Sequence, residues 1–281
     1  MLESHTKKLP KIIYIFFVFW LYVLPVQSDS AEDTTATSVE IIYAGNEGFL
    51  VMAEGKKVLI DAFHRLGDVK NQEMLQNGRP PFDDVDLILT THTDHDHFDL
   101  HMVGDYLKTH PHTVLVSTDQ AKDSFVKYYR DFEKIESRIR GYTTESGEKI
   151  SVSHAGIELT MMHLQHGRNR EVKVTNLGFL FVLGGKKFFH MGDSEIILSE
   201  MSIYDLPKER IDVAFIPYWY FTSAKYRPAL QNGIGAKYHV PMHLILVDGG
   251  PQERESIMEN IQVEFPESIL FSTEMEKRII E

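Results

Sequence analysis

The chain of 281 residues contains no cysteine. That excludes a disulfide framework, a lipobox and any thiolate metal ligand. It is compatible with an oxidising compartment without requiring one. Positive charge is also scarce: 29 Lys and Arg stand against 41 Asp and Glu, a formal net charge of −12. A surface this acidic does not attract polyanions from a distance, so nucleic acid is not expected as a partner. A small anion bound directly to a metal is not excluded by charge. Long apolar runs are missing as well. Ile12 to Val23 is an unbroken apolar stretch of twelve residues, short of the about 20 that a membrane-spanning helix needs.

That stretch reads better as a secretion signal. Lys7, Lys8 and Lys11 form a basic segment before it, and Val26-Gln27-Ser28 offers small or β-branched residues at the −3 and −1 positions. Residues 1–28 are therefore expected to be a signal peptide cleaved before Asp29, giving a periplasmic or secreted protein. An uncleaved segment would instead anchor the protein to a membrane. Residues 29–38 are polar and small, a flexible leader, and residues 39–281 are the size of one large globular domain. No linker or internal repeat divides it.

Short apolar runs mark strands at Ile41 to Tyr43, Gly48 to Ala53, Lys57 to Ile60 and Val85 to Leu89, and again at Thr113 to Ser117. Leu100, Val103 and Leu107 share a helical face. Ala121, Phe125, Tyr128, Phe132, Ile135 and Ile139 step by three or four, which predicts one long helix capped by Ser117 with Gln120 and ended by Gly141. Further strands are expected at Ile150 to Ser153, Ile157 to His163, Leu177 to Leu183, Lys187 to Met191 and Val213 to Ile216. Another approaches Pro241, and a last one runs from Ser268 to Phe271. Helices are expected at Glu195 to Ile203 and Gln252 to Ile261. Two strand-rich halves, each with helices, imply two sheets packed face to face with helices outside, a four-layer αββα sandwich of the α/β class.

The informative segment is Thr90-Thr91-His92-Thr93-Asp94-His95-Asp96-His97-Phe98-Asp99, which follows the apolar run ending at Leu89. Imidazoles and carboxylates bind divalent metals, and so many acids at one strand end repel one another unless a cation sits among them. Three more stations fall at strand ends: Gln165-His166-Gly167-Arg168, Met191-Gly192-Asp193-Ser194 and Val240-Pro241-Met242-His243. Strand ends are where a sheet can hold groups from distant segments in one place.

At these residues the chain resembles the metallo-β-lactamase-fold hydrolase superfamily, whose signature runs His-x-His-x-Asp-His, then His, Gly-Asp and a final His. Here it reads His92, Asp94, Asp96, His97, then His166, Asp193 and His243, and the likeness covers nearly all of residues 39–250. Tyr43 to Leu50, leading to Val58 to Asp61, is similar to the opening hairpin of that fold. Gln165 to Arg168 and Pro241 to His243 look most like the branch of ascorbate-6-phosphate lactonase and N-acyl-phosphatidylethanolamine phospholipase D. The resemblance implies two divalent metal ions, Zn²⁺ or else Mn²⁺ or Fe²⁺. One would be held by His92, Asp94 and His166 and the other by Asp96, His97 and His243, with Asp193 between them. It implies hydrolysis by a metal-bridging hydroxide oriented by Asp96, with Asp193 equally required, so Asp96 and Asp193 are the catalytic candidates. The one departure is Asp94 where the family has His. A carboxylate there is a harder donor that favours Mn²⁺ or Fe²⁺. His95 is the alternative ligand if the register slips by one.

The expected substrate is a small molecule with an ester-type bond, a phosphodiester or cyclic phosphoester before a lactone or carboxylic ester. A penicillin-type β-lactam is not expected. The rival from another class is a non-catalytic protein that keeps the fold and its metal. For the substrate pocket, Tyr218, Trp219 and Tyr220 suggest an aromatic wall, Arg168 an anion contact, and His64 a wall residue at a strand exit. The bland alternatives are a cap over the helix layer, a solvated turn and an ordinary loop. Asp61 is expected to support a ligand rather than be one. Oligomeric state leaves no mark in the sequence.

Overall fold

The computed structural model describes residues 38–167, 173–244 and 250–281. The expected signal peptide, residues 29–37 of the leader, and Arg168 and Arg170 lie outside the described residues. Strands β1 (Val39–Gly45), β2 (Gly48–Ala53) and β3 (Lys56–Ile60) form an antiparallel meander. β4 (Leu87–Leu89), β5 (Val114–Thr118) and β6 (Ile139–Tyr142) continue it in parallel. Four more strands, β7 (Lys149–His154), β8 (Ile157–His163), β9 (Leu177–Leu183) and β10 (Lys186–His190), pair antiparallel in a second sheet. β11 (Val213–Pro217) and β12 (Tyr238–Met242) extend that sheet in parallel. The chain closes with β13 (Lys277–Ile280) against β1, giving the orders β13-β1-β2-β3-β4-β5-β6 and β12-β11-β10-β9-β8-β7. The helices are α1 (Val69–Gln76), α2 (Leu100–Thr109), α3 (Asp119–Tyr128), α4 (Leu198–Met201), α5 (Trp219–Thr222), α6 (Arg227–Ala229) and α7 (Gly250–Glu264).

Side-chain alternation sets the layers. One face of the first sheet, including Ile41, Phe49, Val51, Val58 and Leu89, is buried in one cluster with Leu159, Met161, Phe179 and Phe188 of the second sheet. Its other face, with Ile42, Leu50, Leu59 and Leu115, packs on Val103, Tyr106 and Leu107 of α2 and Phe125 of α3. Period-two strands buried on both sides are the pattern of a sheet sandwiched between a second sheet and helices. The expected αββα class holds.

The long helix expected from Ala121 to Ile139 is corrected. α3 ends at Tyr128, and two 3₁₀ turns, at 132–134 and 136–138, lead into β6. Phe132 and Ile135 still join the core, because a spacing of three suits a 3₁₀ turn as well as an α-helix. The break is where Tyr129 packs: its ring lies against Gly104, where a Cβ would come within 2.3 Å, and its hydroxyl donates to Asp105 Oδ1 at 2.9 Å. The N-cap is Thr118, which accepts from Ala121 N at 3.1 Å, not Ser117. Gly141 is inside β6. The expected closing strand at Ser268 is reduced to a single bridge with His239, and β13 is the strand that closes the first sheet.

β8, β10 and β12 all run the same way, because β8 and β10 flank the antiparallel β9, and β10, β11 and β12 are parallel. Their carboxyl ends therefore lie along one rim of the second sheet. His166, Asp193 and His243 leave from those ends.

Candidate metal centre

The first station folds as a tight reversal. After β4 the chain turns at 94–98, with His97 N and Phe98 N both donating to Asp94 O (3.0 and 2.9 Å). The reversal brings the His97 ring back beside His92, centroid to centroid 4.0 Å. Asp99 caps α2 by accepting from His101 N and Met102 N, so it is a structural acid. At the third station Gly192 has φ +52°, and a Cβ there would come within 2.2 Å of Asn176 Oδ1 and 2.7 Å of Thr91. Only glycine lets Asp193 approach. Asn176 Nδ2 donates to both Leu164 O and Met191 O, tying the approaches to His166 and Asp193 together. His243 sits in the left-handed region at φ +65°, a conformation that costs on the order of 1 kcal/mol in a non-glycine residue. It is held there by donation from its N–H to Asn46 O at 3.3 Å.

The four stations converge on Asp193. His97 Nε2 lies 3.3 Å from Asp193 Oδ1 and 3.7 Å from Asp96 Oδ2. His243 Nε2 lies 3.2 Å from Asp96 Oδ2 and 3.4 Å from Asp193 Oδ2. On the other side, His166 Nε2 is 3.3 Å from Asp94 Oδ2 and 3.7 Å from Asp193 Oδ2, and His92 Nε2 is 3.5 Å from Asp94 and 3.9 Å from Asp193. His95 is exposed, so between the two alternatives the structure turns Asp94 inward. Ligand atoms of His92, His166 and Asp193 lie within 4.8 Å of one another, as do those of Glu47, His97, Asp193 and His243. Asp193 belongs to both groups.

Behind the ligands stands Asp61, fully buried and also left-handed, at φ +42°. Its Oδ2 accepts from His97 Nδ1 (2.9 Å) and from Thr91 Oγ1 (2.6 Å), and its Oδ1 accepts from Thr91 N (2.8 Å). Thr91 Oγ1 uses its hydrogen on Asp61, so it accepts from His92 Nδ1 at 2.9 Å. One carboxylate thus fixes both imidazoles with Nδ1 protonated and the Nε2 lone pair facing the centre.

The charges are arranged for a cation. Burial alone would push His97 down, yet Asp193, Glu47 and Asp61 hold it well above the usual imidazole range. Burial opposes the shift of His243 too, but Asp193 and Asp96 raise it to about 10. Burial would raise Asp193, but His97 and His243 hold it well below the usual carboxylate range, and His243 and His97 likewise bring Asp96 to about 2 against the opposing burial. Protons on imidazoles here stand where positive charge is wanted. His92 Nε2, His97 Nε2 and Asp193 Oδ1 are buried with no hydrogen-bond partner. Orphaned buried donors and acceptors of this kind are costly unless something binds them, and nitrogen and oxygen donors converging at such distances suit divalent metal ions.

The expected pocket residues fare differently. Tyr218 and Trp219 are part-exposed, with Tyr218 edge-on to Trp219. The Trp219 ring stands edge-on to His243 with centroids 5.2 Å apart, and its Nε1 donates to Ser194 O at 3.0 Å. Tyr220 is corrected: it is sealed in the core, donating to Ile196 O and bonded to Ser194 Oγ, both at 2.9 Å. It has no face left for a substrate. His64 is likewise sealed, with Nε2 donating to Gly45 O (3.2 Å) and Nδ1 accepting from Leu66 N (3.1 Å). It clips two loops together, and the cavity it borders, with Arg65, Gly67 and Met102, is lined by none of the metal-centre residues.

Sequence reasoning missed Glu47. It lies in the two-residue turn between β1 and β2, where an acid reads as solvated, yet it is 0% exposed and Oε2 is 3.3 Å from His97 Nδ1. Burial, reinforced by Asp193, holds its acid well above the usual range. The available signal was the turn's place in a hairpin whose strands are apolar on both faces.

Comparison with known proteins agrees with this architecture. The model of the beta-lactamase superfamily domain matches residues 56–268. No curated protein matches in sequence. Among solved structures, a metallo hydrolase from the hyperthermophilic archaeon Ignicoccus hospitalis is 18% identical with a TM-score of 0.61, covering 87% of this chain and 99% of its own. The metallo-beta-lactamase fold protein YhfI from Bacillus subtilis is 15% identical with a TM-score of 0.58, covering 87% and 100%. The diiron beta-hydroxylase CmlA from Streptomyces venezuelae is 11% identical with a TM-score of 0.57, covering 87% of this chain and 54% of its own. At these identities the likeness is one of fold. With the family model spanning most of the domain, the chain belongs to the beta-lactamase superfamily.

Proposed function

We propose that the protein hydrolyses an ester-type bond in a small molecule, with a phosphodiester or cyclic phosphoester as the first substrate class, at a centre for two divalent ions. The observation that carries this reading is the sharing of Asp193 by two donor groups, one with His92 and His166 and one with His97 and His243. A shared carboxylate is what a paired site requires. Bound ions of this kind supply Lewis acidity and bring a water's pKa toward neutrality. The chain supplies the rest. Asp61 keeps His92 and His97 in one tautomer. Asp96, buried beside His243, orients the attacking water. Trp219 lines the approach with an apolar edge. No protein nucleophile is needed, which fits a centre in which every converging side chain is an imidazole or a carboxylate.

A phosphoester is favoured because paired ions stabilise both the attacking and the leaving oxygen of a phosphoryl displacement. The short motifs at Gln165 to Arg168 and Pro241 to His243 support the same choice and leave a lactone or carboxylic ester as the second. CmlA, which its name describes as diiron, supports iron as a metal this fold accommodates. The deciding experiment follows hydrolysis of bis-p-nitrophenyl phosphate and p-nitrophenyl acetate by protein loaded with Mn²⁺ or Zn²⁺, with Asp193→Ala as the blank. Phosphodiester turnover that vanishes in the blank supports the first class. Carboxylic ester turnover alone replaces it with an esterase or lactonase. Turnover that persists in the blank overturns the paired site.

A further inference from the structure

We propose that Glu47 is a metal-binding carboxylate of this centre, on the side of His97 and His243, and that it biases the centre toward harder divalent ions. The inference rests on the metal-centre reading above and is independent of the substrate.

Glu47 has no access to solvent, and neither carboxylate oxygen accepts a hydrogen bond. A carboxyl in that condition must either keep its proton or meet a cation, and a cation bound between it and Asp193 would let both ionise. The nearest donor, His97 Nδ1 at 3.3 Å, is directed to Asp61 at the shorter 2.9 Å. Among the described residues no Lys or Arg forms an ion pair with it. The side chain is also held where it is. Its own carbonyl accepts from His190 Nε2 at 3.1 Å. The neighbouring Asn46 donates to Asp96 O and accepts from His243 N, both at 3.3 Å. On the other side, Gly48 packs so tightly that a Cβ would lie 2.9 Å from Ala62 Cα. A turn tip stitched to three of the metal-centre strands has one direction for its acid, and its ligand atom falls within 4.8 Å of those of His97, Asp193 and His243.

With Glu47 the donor set becomes four carboxylates (Glu47, Asp94, Asp96, Asp193) and four imidazoles (His92, His97, His166, His243). Four carboxylates balance the charge of two divalent ions, and oxygen-rich sets suit Mn²⁺ and Fe²⁺ relative to Zn²⁺ better than imidazole-rich ones.

The test measures Mn²⁺ and Zn²⁺ affinity of the full chain by chelator competition for wild type, Glu47→Gln, Glu47→Asp and Asp193→Ala, with melting curves to check folding. Glutamine keeps size and an acceptor but removes the charge. The expected result is Mn²⁺ affinity weakened about tenfold or more in Glu47→Gln, with a smaller loss for Zn²⁺. Glu47→Asp keeps the charge, retracts it by one methylene and should retain more of the Mn²⁺ affinity. Wild-type affinities in Glu47→Gln overturn the proposal; if that variant does not fold, wild-type affinities in Glu47→Asp overturn it instead. Binding lost in Asp193→Ala but intact in the Glu47 variants removes Glu47 and leaves the centre standing. A wild type that binds neither ion overturns both.

Discussion

Asp61 Oδ2 accepts from His97 Nδ1 at 2.9 Å while the same oxygen holds Thr91 Oγ1, through which His92 is fixed in turn. A single acid therefore orients an imidazole in each half of the centre. Asp61→Asn keeps the left-handed backbone, which Asn tolerates, but places an amide where a charge faced two donors. Metal affinity should fall about ten- to a hundredfold. Chelator competition checks this; unchanged affinity would mean that packing alone orients the rings.

Asp94→His restores the imidazole that the family has at this position. It should keep the metals and shift preference toward Zn²⁺, because the exchange removes a hard donor and a negative charge. Competition between Zn²⁺ and Mn²⁺ reads the shift. Loss of all metal would show that Asp94 is not the inward-facing residue.

His64 makes stability sensitive to acid. Burial, reinforced by His97, brings it down to about 4, and its neutral Nδ1 accepts from Leu66 N. The folded state thus refuses a proton that the unfolded chain accepts near 6.5. Its neutral form contributes fully above pH 6.5, and stability is lost as pH falls from there through 4, up to on the order of 3 kcal/mol. His64→Gln should show a flatter melting temperature across that window than wild type. Equal slopes would refute the assignment.

Trp219 and Tyr220, adjacent in sequence, should separate cleanly. Tyr220→Phe strands Ile196 O in the core and should cost about 1–2 kcal/mol of stability with turnover unchanged. Trp219→Ala removes the ring beside His243 and should raise KM with a smaller effect on melting. A KM effect from Tyr220→Phe would return that residue to the pocket.

Much of this was legible in the chain. Most strands of both sheets follow from short apolar runs between glycine turns, though β6 was read as the end of a helix, and the four stations follow from donors packed at strand ends, where like charges need a reason to gather. Other parts had no such mark. α1 buries only Leu75, so it carries no apolar stripe. β13 reads Lys-Arg-Ile-Ile and is an edge strand with little to bury. The stripe from Ala121 to Ile139 joins the core except at Tyr128, which is exposed, and a spacing of three does not tell an α-helix from 3₁₀ turns. His64, Tyr220 and Glu47 each depend on long-range contacts: polarity in a loop predicts water, and only the fold reveals that the water is gone.

The stitched tip of the first hairpin has a consequence for biogenesis. Asn46 and Glu47 reach Asp96, His190 and His243, partners spread over nearly the whole domain. During synthesis the hairpin emerges early and must wait for the last of these to leave the ribosome. Until then its acid lacks its final neighbours, so closure of the hairpin tip is expected to be a late event rather than a guide to early folding.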